Sequence, residues 1–141
     1  MTRQQVEALF ARRDSAHSLR DVAAVTALYA EDAVVESPTA GGRVEGRAAI
    51  EEITRTWFSG FPDVIFTRTT LVVDGDRAVW IGDVRGTDTG GFMGLARTDK
   101  PFRLPMVMVC RLKDDVIVHE QRIYDFSGML MQIGILKAKP K

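Results

Sequence analysis

The sequence has little of what several functional classes require. Its one cysteine, Cys110, excludes an internal disulfide and argues against a cysteine-ligated zinc site. The two histidines, His17 and His119, are about a hundred positions apart, which argues against a histidine metal site. Basic and acidic residues number 19 each, so the net charge is zero and no polyanionic partner is indicated. We therefore expect no metal and no nucleic acid partner.

Long apolar runs are also missing. No stretch approaches the length of a membrane span, and the first residues, MTRQQVEALFARRD, are polar and charged, unlike a signal peptide. We expect a cytoplasmic protein without a membrane partner. The 141 residues contain no linker or low-complexity segment, so a single domain over 1–141 is predicted.

The first sixty residues show helical periodicity. Residues 3–18 place Val6, Leu9, Phe10, Arg13 and His17 at three- and four-residue steps, which predicts one amphipathic helix. Asp21 is expected to cap a second helix, VAAVTALYA, and GRAAIEEITRTWF predicts a third. The β-branched segment AVVES between them predicts a short strand.

After Pro62 the pattern becomes that of strands. Four β-rich runs follow, and two of the joins are short acidic turns, DGD and KDD; the runs are VIFTRTTLVV, RAVWIGDVRG, FRLPMVMVCRLK and VIVHEQRIYD. Helices followed by a meander indicate an α+β fold with helices on one face of a mainly antiparallel sheet. Because such a sheet twists and curls, we expect a cone-shaped pocket between sheet and helices.

The alternation of side chains in the last two strands predicts the pocket wall. Met106, Met108 and Cys110 share one face of the first of these strands. In the final strand one face holds Ile117, His119, Gln121, Ile123 and Asp125, and the other holds Val118, Glu120, Arg122 and Tyr124. We interpret the first of these two faces as pocket lining and the second as outer surface. The spacing leaves open a second interpretation, in which Asp125 only caps the helix that follows.

Six segments resemble, in order, those of a known family. They are LYAEDAVVESP, VEGRAAI, FPDV, GTDTGGFMGL, CRLKDDVIVHEQRIYD and MLMQIGIL. Together they resemble the SnoaL-like polyketide cyclases and related ester cyclases of the nuclear transport factor 2-like superfamily, from about residue 5 to 136. The superfamily also contains ketosteroid isomerases, dehydratases, epoxide hydrolases and non-enzymatic binding domains.

The resemblance implies a cone-shaped α+β fold, a homodimer formed through the outer face of the sheet, and cofactor-independent acid/base chemistry on a small hydrophobic, polyketide-like or polycyclic substrate. It assigns the role of general acid/base to Asp125, at the end of the final strand. Asp88, in GTDTG, stands where cyclases often carry histidine. The other expected pocket residues are His17, Tyr29, Trp57, Asp88, Met106, Met108, His119, Gln121 and Ile123.

Other functions on the same fold remain open at this level. A non-catalytic small-molecule binding domain, a dehydratase or a hydrolase would have the same overall pattern. Steroid isomerisation is not predicted, because Ser37 and Met108 occupy the positions of that family's two catalytic aspartates. For the dimer contact we expect a mixed apolar and charged surface: Val107, Val109, Val118 and Tyr124 beside Arg111, Glu120 and Arg122.

Overall fold

The computed structural model describes residues 1–137, which form helices packed on a curved sheet. The helices are α1 (Arg3–Ser18), α2 (Val22–Thr26), α3 (Arg47–Gly60) and α4 (Phe126–Gln132). The strands are β1 (Tyr29–Glu36), β2 (Val44–Glu45), β3 (Ile65–Asp74), β4 (Arg77–Thr87), β5 (Pro101–Lys113) and β6 (Val116–Tyr124). Short 3₁₀ turns occupy Pro38–Ala40 and Phe92–Gly94.

Side-chain caps define where the first helices begin. Thr2 and Gln5 form a reciprocal capping box at the start of α1, and the Asp21 side chain accepts a hydrogen bond from the backbone of Ala24. Helix α2 ends at Thr26, so the predicted longer second helix is wrong. Tyr29 instead pairs with Ile117 and begins β1. No helix within residues 1–137 is both long and apolar enough to cross a membrane.

The sheet has the strand order β2-β1-β6-β5-β4-β3. Only the β1–β6 pair is parallel among these six strands, and the other four pairs are antiparallel. The first strand of the chain, β1, therefore pairs with the last strand, β6, in the middle of the sheet. Helices α1 and α3 cover the inner face, and the predicted α+β fold with a curved, mainly antiparallel sheet is confirmed.

A β-bulge in β6 changes which residues face the interior. Leu112 pairs with Ile117, but the preceding Arg111 pairs with His119, so Val118 is an extra residue on β6. The alternation of faces is inverted beyond that point. Ile117 and Glu120 are both buried although three positions separate them, whereas an unbroken strand would place them on opposite faces.

Aromatic rings fill most of the interior between α3 and the sheet. Trp57 packs edge-on against four rings at centroid distances of 5.6–6.3 Å, namely Phe61, Phe92, Phe102 and Tyr124. Phe61 and Phe92 stack at 4.5 Å. The interior is therefore closely packed around Trp57, and the space left for a ligand lies at the margin of this cluster.

Candidate functional site

Three charged side chains meet in the interior. Nη2 of Arg13, on α1, lies 3.0 Å from Oε1 of Glu120, and Nε of Arg122 lies 2.7 Å from its Oε2. Arg13 and Glu120 are 2 % and 0 % exposed as side chains, and Arg122 is 8 % exposed. Arg13 and Glu120 are 107 positions apart in the sequence. They meet because helix α1 and strand β6 each direct a charged side chain to the inner face.

Neutral groups surround this charged cluster. The hydroxyl of Tyr29 donates to both oxygens of Glu120 at 3.0 Å, and the Cys110 thiol donates to Oε1 at 3.6 Å. The sulfur of Met108 accepts a hydrogen bond from Nη2 of Arg13 at 3.0 Å. Burial, followed by the charge of Glu120, raises the pKa of both Tyr29 and Cys110, which keeps both groups protonated.

Glu120 remains a carboxylate despite complete burial. Burial alone would raise its pKa, but the positive charges of Arg13 and Arg122 lower the pKa to about 2. Burial opposes the charged form of each arginine as well, yet the Glu120 carboxylate raises the pKa of both guanidinium groups. The cluster of Arg13, Glu120 and Arg122 therefore holds two positive charges and one negative charge.

Hydrogen-bond donors outnumber acceptors in the cluster. A guanidinium carries five N–H donors. Among the described residues Arg122 uses only Nε, toward Glu120, and its terminal nitrogens have no partner. Nε of Arg13 is buried and has no partner within residues 1–137. A fully buried donor without a partner is costly, as for Nε of Arg13, whereas the terminal nitrogens of Arg122 are not fully enclosed and remain available to water or to a further acceptor.

His17 lies one helical turn beyond Arg13 on α1. Its Nδ1 donates a hydrogen bond to the backbone carbonyl of Arg13 at 2.9 Å, which leaves Nε2 as the ring's acceptor. Burial, followed by the positive charge of Arg13, lowers the pKa of His17 to about 3. The ring is therefore a neutral imidazole at pH 7, and Nε2 has no partner in the part of the chain that the structure describes.

A small cavity joins His17 to Arg122. Its walls are His17, Thr54, Trp57, Phe58, Phe66 and Arg122, and the centre of a water molecule has about 10 Å³ available to it. Phe58 and Phe66 are half-buried and pack edge-on against His17, at 6.0 and 5.0 Å. A cavity of this size holds about one water molecule, so a larger ligand requires the surrounding side chains to move apart.

The groups around this cavity suit proton transfer at carbon beside a carbonyl. A neutral imidazole nitrogen can accept a proton, and an adjacent guanidinium can donate hydrogen bonds to an oxygen that becomes negative. Within residues 1–137 no group of three or more His, Cys, Asp or Glu side chains is arranged to hold a metal ion.

Several residues that the sequence predicted for the pocket lie on the inner face. His17 and Trp57 line the cavity itself. Tyr29 and Met108 contact the charged cluster one layer behind it. Met106 is buried opposite Tyr124, in the apolar part of the core.

The prediction that the second half of β6 lines the pocket with its odd-numbered residues is wrong. Gln121 and Ile123 are exposed on the outer face, and His119 pairs there with Glu36 at 3.0 Å. Asp125 is also exposed, and its carboxylate accepts a 2.8 Å hydrogen bond from the backbone of Gly128 as the N-cap of α4. The bulge at Val118 is the physical reason, because it turns Glu120, Arg122 and Tyr124 inward instead.

Asp88 is buried but does not reach the cavity. Its carboxylate accepts hydrogen bonds from the backbone of Phe92 at 2.9 Å and from the backbone and hydroxyl of Thr98, both at 3.0 Å. These contacts fold the segment 88–98 back on itself and hold the Phe92 ring against Phe61. The expectation that Asp88 lines the substrate pocket is wrong, since every hydrogen bond of its carboxylate serves the loop.

Sequence analysis missed the residues that carry most of the charge. Arg13 does occupy a core position of the α1 pattern, between Phe10 and His17, and an arginine at such a position is a signal for a buried anion. Glu120 and Arg122 were interpreted as outer-surface residues because no sequence feature indicated the bulge. Thr54, Phe58 and Phe66 carry no such signal.

A larger cavity lies elsewhere, on the outer side of the sheet. It measures about 620 Å³ and is an open groove at the ends of β3, β4 and β5, beside Gln132 of α4. Two of its charged groups are already engaged: Arg103 pairs with Asp83 at 2.8 Å, and Asp63 accepts hydrogen bonds from Thr87. We therefore place the candidate site at the inner cavity, which is lined by the imidazole of His17 and the guanidinium of Arg122.

Comparison with known proteins agrees with this architecture. A family model described as SnoaL-like polyketide cyclase matches residues 7–133. IdmH from Streptomyces antibioticus, a proposed polyketide cyclase, is 29% identical with a TM-score of 0.76, over 91% of this chain and 97% of its own.

Two further solved structures share the fold at lower identity. AclR from Streptomyces galilaeus, a proposed hydroxylase, is 21% identical with a TM-score of 0.82, over 99% of this chain and 91% of its own. A protein with a ketosteroid isomerase-like fold from Catenulispora acidiphila, bound to trimethylamine, is 22% identical with a TM-score of 0.77, over 91% and 93%. No curated protein matches the sequence.

Proposed function

The chain belongs to the SnoaL-like polyketide cyclase family, and from this premise we propose that it catalyses a cofactor-independent, cyclase-type acid/base reaction at the inner cavity. The substrate class that fits is a small hydrophobic molecule with a carbonyl group, polyketide-like or polycyclic. One observation carries the proposal: His17 and Arg122 line the same cavity, and within residues 1–137 neither Nε2 of His17 nor the terminal nitrogens of Arg122 have a hydrogen-bond partner.

The reaction follows from the chemistry of these two groups. Nε2 of His17 accepts a proton from the carbon beside the carbonyl; the C–H electron pair forms the carbon–carbon double bond of an enolate, and the C=O π pair moves onto the oxygen. The terminal N–H groups of Arg122 stabilise that oxyanion. The enolate carbon then attacks a second carbonyl of the same substrate, and the imidazolium returns its proton to the new alkoxide. No external reductant or oxidant is needed.

The local electrostatics keep His17 unprotonated at pH 7 but also make it a weak base, which an oxyanion in the cavity offsets in part. The pKa of His17 is low, about 3, because of burial and the positive charge of Arg13. An oxyanion formed beside Arg122 offsets part of that positive field, so the imidazolium is stabilised as the enolate appears. The apolar walls of Trp57, Phe58 and Phe66 hold a flat substrate and keep water away.

Deuterium exchange at the carbon beside the carbonyl of α-tetralone, a bicyclic ketone, tests the proton-transfer step. NMR in deuterated buffer should report enzyme-dependent exchange that falls about a hundredfold in His17→Phe and Arg122→Met. Asp125→Asn and Arg103→Met are the matched controls and should exchange at the wild-type rate. Wild-type exchange equal to the buffer rate, or full activity in His17→Phe, would refute the proposed function.

A binding domain without turnover is the second candidate. The weak basicity of His17 favours it, because burial and the positive charge of Arg13 hold the pKa of the imidazole at about 3. Exchange at the buffer rate together with saturable binding of α-tetralone would establish this alternative.

We propose in addition a homodimer formed through the outer face of the sheet. On that face, Ile81, Val107 and Ile123 lie directly opposite one another on three neighbouring strands. Val72, Val79 and Val109 form a parallel row. Ile123 is 51% exposed and Val72 47%, which is characteristic of an unpaired contact surface. Val107 and Val109 were expected on this face. Glu120, Arg122 and Tyr124 were expected there too, but they face inward, and Ile123 faces outward instead.

Light scattering at micromolar concentration tests the dimer. The wild type should have twice the chain mass, and Ile123→Lys, in the middle of the apolar rows, should shift the mass toward the monomer. Lys113→Glu, an exposed change at the end of β5, is the control and should leave the dimer intact. A monomeric wild type would exclude this assembly.

A further inference from the structure

The charged cluster at the inner cavity is electrically unbalanced. Arg13 and Arg122 contribute two positive charges and Glu120 contributes one negative charge, while Tyr29, Cys110 and His17 are neutral at pH 7. Each of the three charged side chains is at least nine-tenths buried. A buried excess positive charge is expensive unless an anion accompanies it.

The geometry indicates where that anion belongs. Both oxygens of Glu120 are already occupied, by Arg13, Tyr29 and Cys110 on one and by Tyr29 and Arg122 on the other. The terminal nitrogens of Arg122 have no partner among residues 1–137 and border the cavity. A planar guanidinium edge that is free in this way matches the two oxygens of a carboxylate.

We propose that the inner cavity is a binding site for a monoanion with a delocalised charge, a carboxylate or an ionised 1,3-dicarbonyl group, paired with the free edge of Arg122. The inference rests on the site of the proposed function and names its ligand class. Trp57, Phe58 and Phe66 contribute apolar, aromatic walls, so an aromatic or conjugated anion fits better than an aliphatic one.

A bound anion would also interact with His17. His17 and Arg122 face the cavity from α1 and β6, so an anion on Arg122 lies beside Nε2. Its negative charge opposes the field of Arg13 that holds the imidazole neutral. Binding of the anion and protonation of His17 therefore strengthen each other.

Titration with acetate and benzoate, each against its neutral amide, tests the proposal without any turnover. Backbone NMR should show shifts at Thr54, Trp57 and Phe66, with benzoate binding at least about tenfold more tightly than benzamide. Acetate is included because a smaller anion requires less displacement of the side chains that line the cavity. Binding should weaken about tenfold or more in Arg122→Met, and Arg103→Met, on the outer face, is the control.

Arg122→Met should fold, since Glu120 keeps Arg13, Tyr29 and Cys110 as partners and the cluster becomes neutral. Should that variant be unfolded by circular dichroism, the comparison of acid with amide in the wild type decides instead. Equal binding of benzoate and benzamide, no shift at Thr54, Trp57 and Phe66 with either acid, or unchanged binding in folded Arg122→Met would overturn the proposal. Anion binding without α-tetralone exchange would refute only the proposed function.

Discussion

Among residues 1–137 two carboxylates are completely buried, one within a strand and one in a loop, and they are held in different ways. Glu120, on the inner face of β6, is surrounded by Arg13, Arg122 and Tyr29. Asp88, just after β4, accepts hydrogen bonds from backbone and hydroxyl groups of its own loop. Both side chains are fully buried.

The contrast separates an electrostatic role from a conformational one. The charge of Glu120 holds two arginines in the interior, so it sets the field that a bound ligand meets. The oxygens of Asp88 replace backbone partners that segment 88–98 lacks, so they determine the path of the chain. Loss of the charge of Glu120 should therefore destabilise the charged cluster, and loss of a hydrogen-bond acceptor at Asp88 should destabilise the loop 88–98.

The largest effect is expected from Glu120→Gln. The change keeps the shape but leaves two buried guanidinium groups without an anion, which should lower the free energy of unfolding by about 3–5 kcal/mol. Urea denaturation measures it. Glu36→Gln, at the half-exposed pair with His119, is the matched control and should cost no more than about 0.5 kcal/mol. A loss below about 1 kcal/mol in Glu120→Gln would show that the cluster does not depend on this charge.

The dependence of stability on pH should come next in size. The folded-state pKa of His17 is about 3, below its ordinary value of 6.5, so the unfolded chain gains a proton first as the pH falls. Stability should therefore decrease from pH 6.5 downward, by up to about 1.4 kcal/mol per pH unit. Glu120, with its pKa lowered from 4.5 to about 2, adds a loss in the same direction below pH 4.5.

Urea midpoints between pH 6.5 and 4.5 isolate the contribution of His17. His17→Phe keeps an aromatic ring against Phe58 and Phe66 but cannot titrate, so its slope should be smaller by about one proton. Identical slopes in the two proteins would mean that the imidazole is not held neutral by its surroundings.

A smaller loss, about 2 kcal/mol, is expected from Asp88→Asn. The amide has one oxygen where the carboxylate has two, so at least one of the donors on Phe92 and Thr98 is left unpaired. Unfolding measurements should be accompanied by faster proteolysis within 89–97. Asp99→Asn serves as the control, because Asp99 is exposed and its positive φ of 58° suits asparagine. Equal stability of the two variants would remove Asp88 from its structural role.

The smallest effect should follow from Asp125→Asn. Asparagine caps helices about as well as aspartate, so stability should change by less than about 0.5 kcal/mol and the rate of α-tetralone exchange should be unchanged. Asp125→Ala removes the cap on Gly128 and should cost about 1 kcal/mol. A large loss of exchange in Asp125→Asn, with stability preserved, would restore the catalytic role that the family resemblance implies.

Local sequence patterns predicted the elements that depend on local rules. The bounds of α1 agree with the prediction over 3–18, because its cap and its three- and four-residue apolar spacing lie within one segment. The inner face of β5, with Met106, Met108 and Cys110, follows from simple alternation, because each of them pairs with β4 in an unbroken register.

The candidate site could be predicted only in part, because it depends on contacts between distant segments. His17 and Trp57 follow from helical spacing, but the partnership of Arg13 with Glu120 joins positions 107 apart. A bulge is an irregularity between two strands, so β6 alone does not reveal it. The inward orientation of Arg122 and the outward orientation of Ile123 both follow from that one irregularity.

The extra residue at Val118 has a consequence for how this fold changes its chemistry in evolution. Strand β6 encodes two alternative linings, one with Glu120, Arg122 and Tyr124, the other with Gln121 and Ile123, and Asp125 follows directly after the strand. Deleting a single codon at the bulge would exchange them without substituting any of these residues. A sequence alignment without gaps would then place two aspartates at the same position, although one faces the cavity in its protein and the other faces the solvent. Alignments of such strands are therefore best anchored on the cross-strand register, and gains or losses of one residue deserve to be considered as changes of function.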